Sequence, residues 1–180
     1  DLDGNNIITE ADQDWIYDPT PDFSYGLNVY LEYKNFDFTM FWQGVQGVDI
    51  ISDLKKQTDI WAGLNIGFLN KGQRLLDAWS STNPNSNIPA LSLSDNNNEK
   101  RVTTYWVENG SYLKLRTIQL GYNLPKSMTN RLAMQRLRFY LSAQNLLTIH
   151  SKSFTGVDPE NPNYGYPIPL NITFGINVTF

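Results

Sequence analysis

Several residue types that build reactive sites are missing from this sequence or nearly so. Cysteine is absent from the 180 residues and histidine occurs once, at position 150. The chain therefore has no disulfide framework, no thiolate metal site and no thiol nucleophile, and sites that need several histidines are excluded. No apolar run approaches the roughly 18 residues of a membrane-spanning helix, so that class is excluded as well.

Positive charge is also scarce. Lysine and arginine together number 14 against 18 acidic residues, which gives a net charge of −4, and no basic cluster stands out. A nucleic-acid partner is therefore not expected. The mean hydropathy of −0.40 is typical of a soluble protein. It is equally compatible with a membrane β-barrel, because barrel strands turn only alternate residues toward lipid.

Strict alternation of apolar with small or polar residues is the clearest pattern present. Residues 170–180 follow it without an error, which predicts a strand with one apolar and one polar face. The run is about as long as a tilted transmembrane strand, roughly 9–11 residues. The same pattern recurs at 25–33, 36–43, 117–124 and 137–144. The sequence therefore predicts five strands, of which the third is irregular near its start, where Lys114 and Arg116 occupy otherwise apolar positions.

Short and long connections alternate between these strands. Lys34-Asn35 and 125–135 are short, whereas 47–111 and about 146–168 are long. Outer-membrane barrels alternate short periplasmic turns with long extracellular loops in this way. We therefore expect 1–23 to be an extracellular loop and 24–180 to form the last five strands of a larger antiparallel β-barrel. Five strands cannot close a barrel, so the remaining strands are expected outside this sequence.

A soluble carbohydrate-binding β-sandwich is the alternative, since sandwich strands also alternate. Two features favour the barrel. The predicted strands exceed the usual five or six residues. Their polar faces also carry Asn, Gln, Ser, Thr and Gly more often than Lys and Glu, which suits a water-filled lumen.

Several segments, in order along the chain, resemble the SusC/RagA family of TonB-dependent transporters from Bacteroidota. They include PTPDFSYGL at 19–27, FWQG at 41–44, WVENGSYLKLR at 106–116, LGYNLP at 120–125, LRFYLSAQNL at 137–146, GVDPE at 156–160 and FGINVTF at 174–180. The resemblance covers nearly the whole chain. It implies an all-β protein that crosses the outer membrane many times in a barrel of roughly 22 strands with a plugged lumen.

The resemblance also implies function and partners. Members import oligosaccharides or peptides, with a SusD-like surface lipoprotein as a lid and energy delivered by the TonB complex through parts outside this sequence. No enzyme activity and no required cofactor are expected. The final aromatic, Phe180, corresponds to the signal read by the barrel assembly machinery. The alternative is that Phe180 is only an anchor at the interface of the outer-membrane lipid.

An acidic segment near the start resembles a calcium-binding loop. Asp1, Asp3, Asn5 and Asp12 take positions 1, 3, 5 and 12 of an EF-hand-like loop, and calcium needs six to eight such oxygen ligands. Asn6 stands where glycine would make the sharp turn, and Asp12 is shorter than the usual glutamate. A calcium site and a metal-free turn rich in Asp and Asn both remain open.

Two further carboxylates, Asp158 and Glu160, flank Pro159 in the last long loop. They could act as an acid/base pair, but no partner is evident in the sequence. We therefore expect a solvated turn at this position. No other residue set indicates an active site.

Overall fold

Strands dominate the structure, a computed structural model that describes residues 2–7, 9–59, 70–92, 101–163 and 165–180. They are β1 (Phe23–Tyr33), β2 (Phe36–Gln46), β3 (Asp49–Ile51), β4 (Val107–Asn109), β5 (Tyr112–Asn123), β6 (Arg136–His150) and β7 (Asn171–Thr179). Five form one antiparallel sheet in the order β1-β2-β5-β6-β7, and β3 pairs with β4 in a second, small sheet. The prediction of five antiparallel strands is confirmed.

The helices are short. They comprise α1 (Asp53–Thr58), α2 (Lys126–Thr129) and 3-10 turns at Glu10–Asp12, Gln73–Asp77, Thr104–Trp106 and Asn130–Leu132. Ser52 caps α1 by accepting a hydrogen bond from the backbone N–H of Lys55. Within the described ranges, no helix has the length and apolar character needed to cross a membrane.

One face of the large sheet is apolar from edge to edge. Residues paired directly across antiparallel strands share a face, so the register aligns their side chains in rows. One row is Leu31, Phe38, Leu120, Leu141 and Phe174, and the next is Val29, Met40, Ile118, Ala143 and Ile172. We call this surface the apolar face.

The apolar face remains on the surface of the chain. Phe174 is 66% exposed and Leu31 is 59% exposed. Among the described residues, no second sheet packs on this face, and the buried apolar residues are few and include Leu75, Trp106 and Phe154 in the connecting segments. This arrangement contradicts the β-sandwich alternative, which requires two sheets packed through their apolar faces.

Aromatic residues gather where the short turns join the strands. Tyr33, Phe36, Tyr122 and Phe139 form a cross-strand row, and the rings of Phe36 and Tyr122 lie 4.7 Å apart. Tyr33 is 70% exposed. Phe36 is exposed as well, whereas Tyr122 and Phe139 are half-buried. A belt of aromatics at one end of the strands is typical of a surface that meets a lipid–water interface.

A β-bulge explains the irregular start of the third predicted strand. The register of β5 shifts at Arg116 against both neighbours, and β6 carries an extra residue opposite, where Asn145 has a φ of 55°. A bulge places successive residues on the same side, so alternation resumes with the opposite parity. Leu115 therefore joins the apolar face and Lys114 the opposite one. β6 consequently continues through His150, and the connection to β7 covers 151–170 rather than the predicted 146–168.

Candidate functional site

The opposite surface of the sheet, which we call the polar face, carries hydrogen-bonding and charged side chains. Its central row is Tyr30, Thr39, Gln119, Ser142 and Thr173. These uncharged hydrogen-bonding side chains suit a wall that contacts water rather than lipid. Charged groups occur on the same face in two clusters, one near the short turns and one near the long connections.

The loop-side cluster joins β5 to the connection between β6 and β7. Nζ of Lys114 donates to both carboxylate oxygens of Asp158 at 2.6 and 2.8 Å, and to Oε2 of Glu160 at 2.9 Å. Arg116 donates from Nη1 to Glu160 at 2.8 Å, from Nη2 to the same carboxylate, and from Nε to Gln43 at 2.8 Å. Two cations thus meet two carboxylates in a closed network.

Burial makes this cluster unusual. The side chain of Lys114 is 1% exposed and that of Asp158 is 10% exposed, whereas that of Glu160 is 32% exposed. Hydrogen bonds from Arg116 and Lys114 outweigh partial desolvation and lower the pKa of Glu160 to about 2. Glu160 is therefore ionised near neutral pH. The expectation of a solvated turn is wrong for Asp158, which is buried, whereas Glu160 is exposed but ion-paired.

Sequence reasoning missed this cluster because its members are far apart in the chain. Lys114 lies 44 residues from Asp158, so their pairing depends on the route of the connecting segments. A signal was nevertheless present. Two basic residues at apolar positions of a predicted strand indicate either a register change or buried acidic partners, and here both occur.

The turn-side cluster consists of Asp37, Asn123, Arg136 and Arg138. Arg138 makes a bidentate pair with Asp37 at 2.5 and 2.9 Å, and Asn123 donates to the same carboxylate at 3.2 Å. Arg136 donates twice to the side-chain oxygen of Asn123, at 3.0 and 2.9 Å. Gly121 leaves the room for this pair, since a Cβ there would collide with both Asp37 and Arg138. The cluster lines a polar cavity of about 380 Å³.

A second buried network ties the connecting segments to one another. Glu108 accepts hydrogen bonds from the backbone N–H and the hydroxyl of Thr155, at 2.9 and 2.6 Å, and pairs with Lys55 at 3.0 Å. Asp59 pairs with Arg74 at 2.9 Å and accepts a 2.6 Å hydrogen bond from the hydroxyl of Tyr105. Desolvation and this hydrogen bond raise the pKa of Tyr105. The network therefore ties β4, α1 and the segment around Thr155 to one another.

The predicted calcium loop is described only in part, because Asp1 lies outside the described residues. Asp12 accepts the backbone N–H groups of Thr9 at 2.6 Å and Leu2 at 2.7 Å, which lowers the pKa of its carboxyl. Asp3 accepts from the backbone and the side-chain amide of Asn5 at 3.1 and 2.7 Å. These contacts build the Asx turns of the metal-free alternative. Calcium binding stays a prediction.

Phe180 follows β7 and is 78% exposed. The apolar residues of β7 are exposed on the same strand, and the outer edge of β7 pairs with no other strand in the described part of the chain. The assembly role of Phe180 stays a prediction.

Comparisons with known proteins place this geometry in context. No family model matches the chain. It is 38% identical over 196 residues to TonB-dependent receptor P3 of Formosa agariphila, covering 100% of this chain and 18% of that protein. It is 29% identical over 192 residues to TonB-dependent receptor SusC of Bacteroides thetaiotaomicron, covering 100% of this chain and 17% of that protein.

Solved structures match the fold as well. The RagAB peptide transporter superposes with a TM-score of 0.75 at 30% identity, covering 91% of this chain and 18% of the matched chain. The RagAB peptide importer in its closed-closed state gives a TM-score of 0.78 at 28% identity, covering 100% of this chain and 20% of the matched chain. The chain thus spans about a fifth of the length of the proteins it matches.

Proposed function

The chain belongs to the SusC/RagA family of TonB-dependent receptors, and we propose that it forms part of the wall of an importer. Members of this family are outer-membrane proteins, and their large β-barrel includes a sheet of this kind. The apolar face contacts lipid and the polar face lines the lumen. The observation that carries this proposal is the register, which sorts the side chains of five strands into one largely apolar and one largely hydrogen-bonding surface.

The proposed cargo is an oligosaccharide or a peptide. Hydroxyl, amide and charged groups on the polar face and beside it could exchange hydrogen bonds with either kind of molecule. The long connections 47–111 and 151–170 lie at the extracellular end in this proposal, where a SusD-like lipoprotein covers them. The TonB complex supplies energy through parts of the protein outside this chain.

The proposal places five membrane crossings in this segment. Their lengths, from 9 to 15 residues, meet or exceed the roughly 9–11 residues that a tilted transmembrane strand requires. The alternation of short and long connections supports extracellular placement of the long ones. Phe180 and the exposed edge of β7 are proposed as the element that the barrel assembly machinery recognises by strand addition.

Deletion of the full-length gene tests the proposal. The deletion strain and a complemented strain are grown on a series of single oligosaccharides and on defined peptides as the sole carbon source. We expect growth on one of the two classes to be lost and then restored by complementation. Co-purification of a lipoprotein with the tagged full-length protein checks the partner. Unchanged growth on every member of both classes would contradict the importer function.

A further inference from the structure

Residues 154–160, which we call the tied segment, are attached at several points to other parts of the chain. We infer that Lys114 is a positioning residue that, together with Arg116, fixes the tied segment against the polar face. The tied segment is then a permanent part of the wall beside the lumen rather than a moving portion of an extracellular loop. This inference rests on the proposed function only in assigning the polar face to the lumen.

Two independent attachments hold the tied segment. At its start, Thr155 donates two hydrogen bonds to Glu108, whose side chain is 1% exposed. At its end, the carboxylates of Asp158 and Glu160 accept hydrogen bonds from the ammonium group of Lys114. The first attachment belongs to β4 and the second to β5, so the segment is held by two neighbouring parts of the fold.

Apolar packing supports the same placement. Phe154 is 6% exposed, and its ring lies edge-on to His150 at 5.1 Å. Gly156 permits this packing, because a Cβ at that position would lie 2.5 Å from Cζ of Phe154. The chain therefore folds back onto its own aromatic side chain before it reaches the charged cluster.

The charges make release unfavourable. Removing the tied segment would leave a buried ammonium group on β5 without the carboxylates that compensate its desolvation. The pair is also screened less by salt than an exposed ion pair would be. The tied segment should therefore stay in place at neutral pH and at high ionic strength, which distinguishes it from a loop held by exposed charges.

Spin labels on single cysteines test this inference in the full-length protein after its other cysteines are replaced. Val157 is 55% exposed and accepts a label without disturbing the core. We expect an immobile spectrum for the label at this site in the otherwise unchanged protein, in low and high salt alike. Lys114→Met should increase the mobile fraction several-fold. Lys114→Arg, which keeps the positive charge, should restore most of the immobile component.

Two further variants keep the test decisive. The double variant Asp158→Asn, Glu160→Gln removes the negative charges of the tied segment and leaves β5 unchanged. It replaces Lys114→Met in the test if the Lys114→Met protein fails to insert into the membrane. Lys152→Met removes an exposed lysine of the same connection and should change nothing. A second readout is the reaction rate of a cysteine at Thr148, the partner of Lys114 on β6, with a water-soluble thiol reagent. We expect faster reaction only in the released variants.

Unchanged label mobility in both Lys114→Met and the double variant would overturn the inference. Equal mobilisation by Lys152→Met would also overturn it, because the effect would then reflect general loop charge. Failure of the importer function would appear separately, as unchanged growth after gene deletion, and would leave these spectra as predicted.

Discussion

The division into an apolar and a polar face predicts opposite effects of one substitution at two adjacent residues. Ala143 lies near the middle of β6 between Ile118 and Ile172, whereas Ser142 lies between Gln119 and Thr173. An arginine on the lipid face at the bilayer midplane costs about 2–4 kcal/mol. Ala143→Arg should therefore lower the folded-to-unfolded ratio by about 30-fold to about 700-fold, since each 1.4 kcal/mol is tenfold.

The same arginine on the polar face meets water and hydrogen-bonding neighbours. Ser142→Arg should change the free energy of unfolding by about 0.5 kcal/mol or less. Ala143→Leu is the control for size, because it adds bulk to the apolar face without charge and should be tolerated. The measurement is the folded fraction of the full-length protein in lipid vesicles across a urea series.

Equal destabilisation by the two arginines would refute the assignment of faces. A stable Ala143→Arg barrel would also refute it, since the arginine at that site would then contact water rather than lipid. A loss with Ala143→Leu as large as with Ala143→Arg would point to crowding rather than to lipid exposure.

Three further predictions concern the connections and the last residue. The hydrogen bonds from Arg116 that depress the pKa of Glu160 to about 2, from its usual 4.5, give stability that is complete above about pH 4.5 and is lost as the pH falls toward 2. The label at Val157 should thus remain immobile down to about pH 4 and be released only below it; release near pH 6 would contradict this. Asp3→Asn should weaken calcium binding, followed by terbium luminescence, by roughly tenfold or more; an unchanged signal would favour the metal-free turn. Deleting Phe180 should reduce the number of inserted barrels, measured by surface labelling, with normal uptake per barrel; normal insertion would leave it only an interfacial anchor.

The five strands could be predicted from the sequence because alternation is a local property. A strand such as β7 shows its two faces residue by residue, without reference to its neighbours. Because alternation is local, it could not predict a bulge or the strand that continues beyond one. At Arg116 the parity changes through a bulge, and the continuation of β6 beyond Asn145 reads as loop unless that change is known.

The charged clusters were beyond local reasoning. The pairing of Asp37 with Arg138 spans 101 residues, and that of Lys114 with Asp158 spans 44. Each depends on strand order and register, which no single segment encodes. The sequence indicated such clusters only through charged residues on predicted strands. Their partners became evident only from the strand order, the register and the course of the connecting segments.

Accessibility along β7 tests the central claim most directly. Each residue from Asn171 to Thr179, except Gly175, where a Cβ would lie 2.2 Å from Cζ of Tyr140, is replaced in turn by a spin-labelled cysteine in the full-length protein. Collision of each label with oxygen is compared with its collision with a water-soluble nickel complex. We expect strict alternation, with oxygen favoured at Ile172, Phe174, Ile176 and Val178, and the nickel complex favoured at the residues between them. Uniform accessibility along the strand, or alternation of the opposite phase, would contradict a wall with lipid on one side and water on the other.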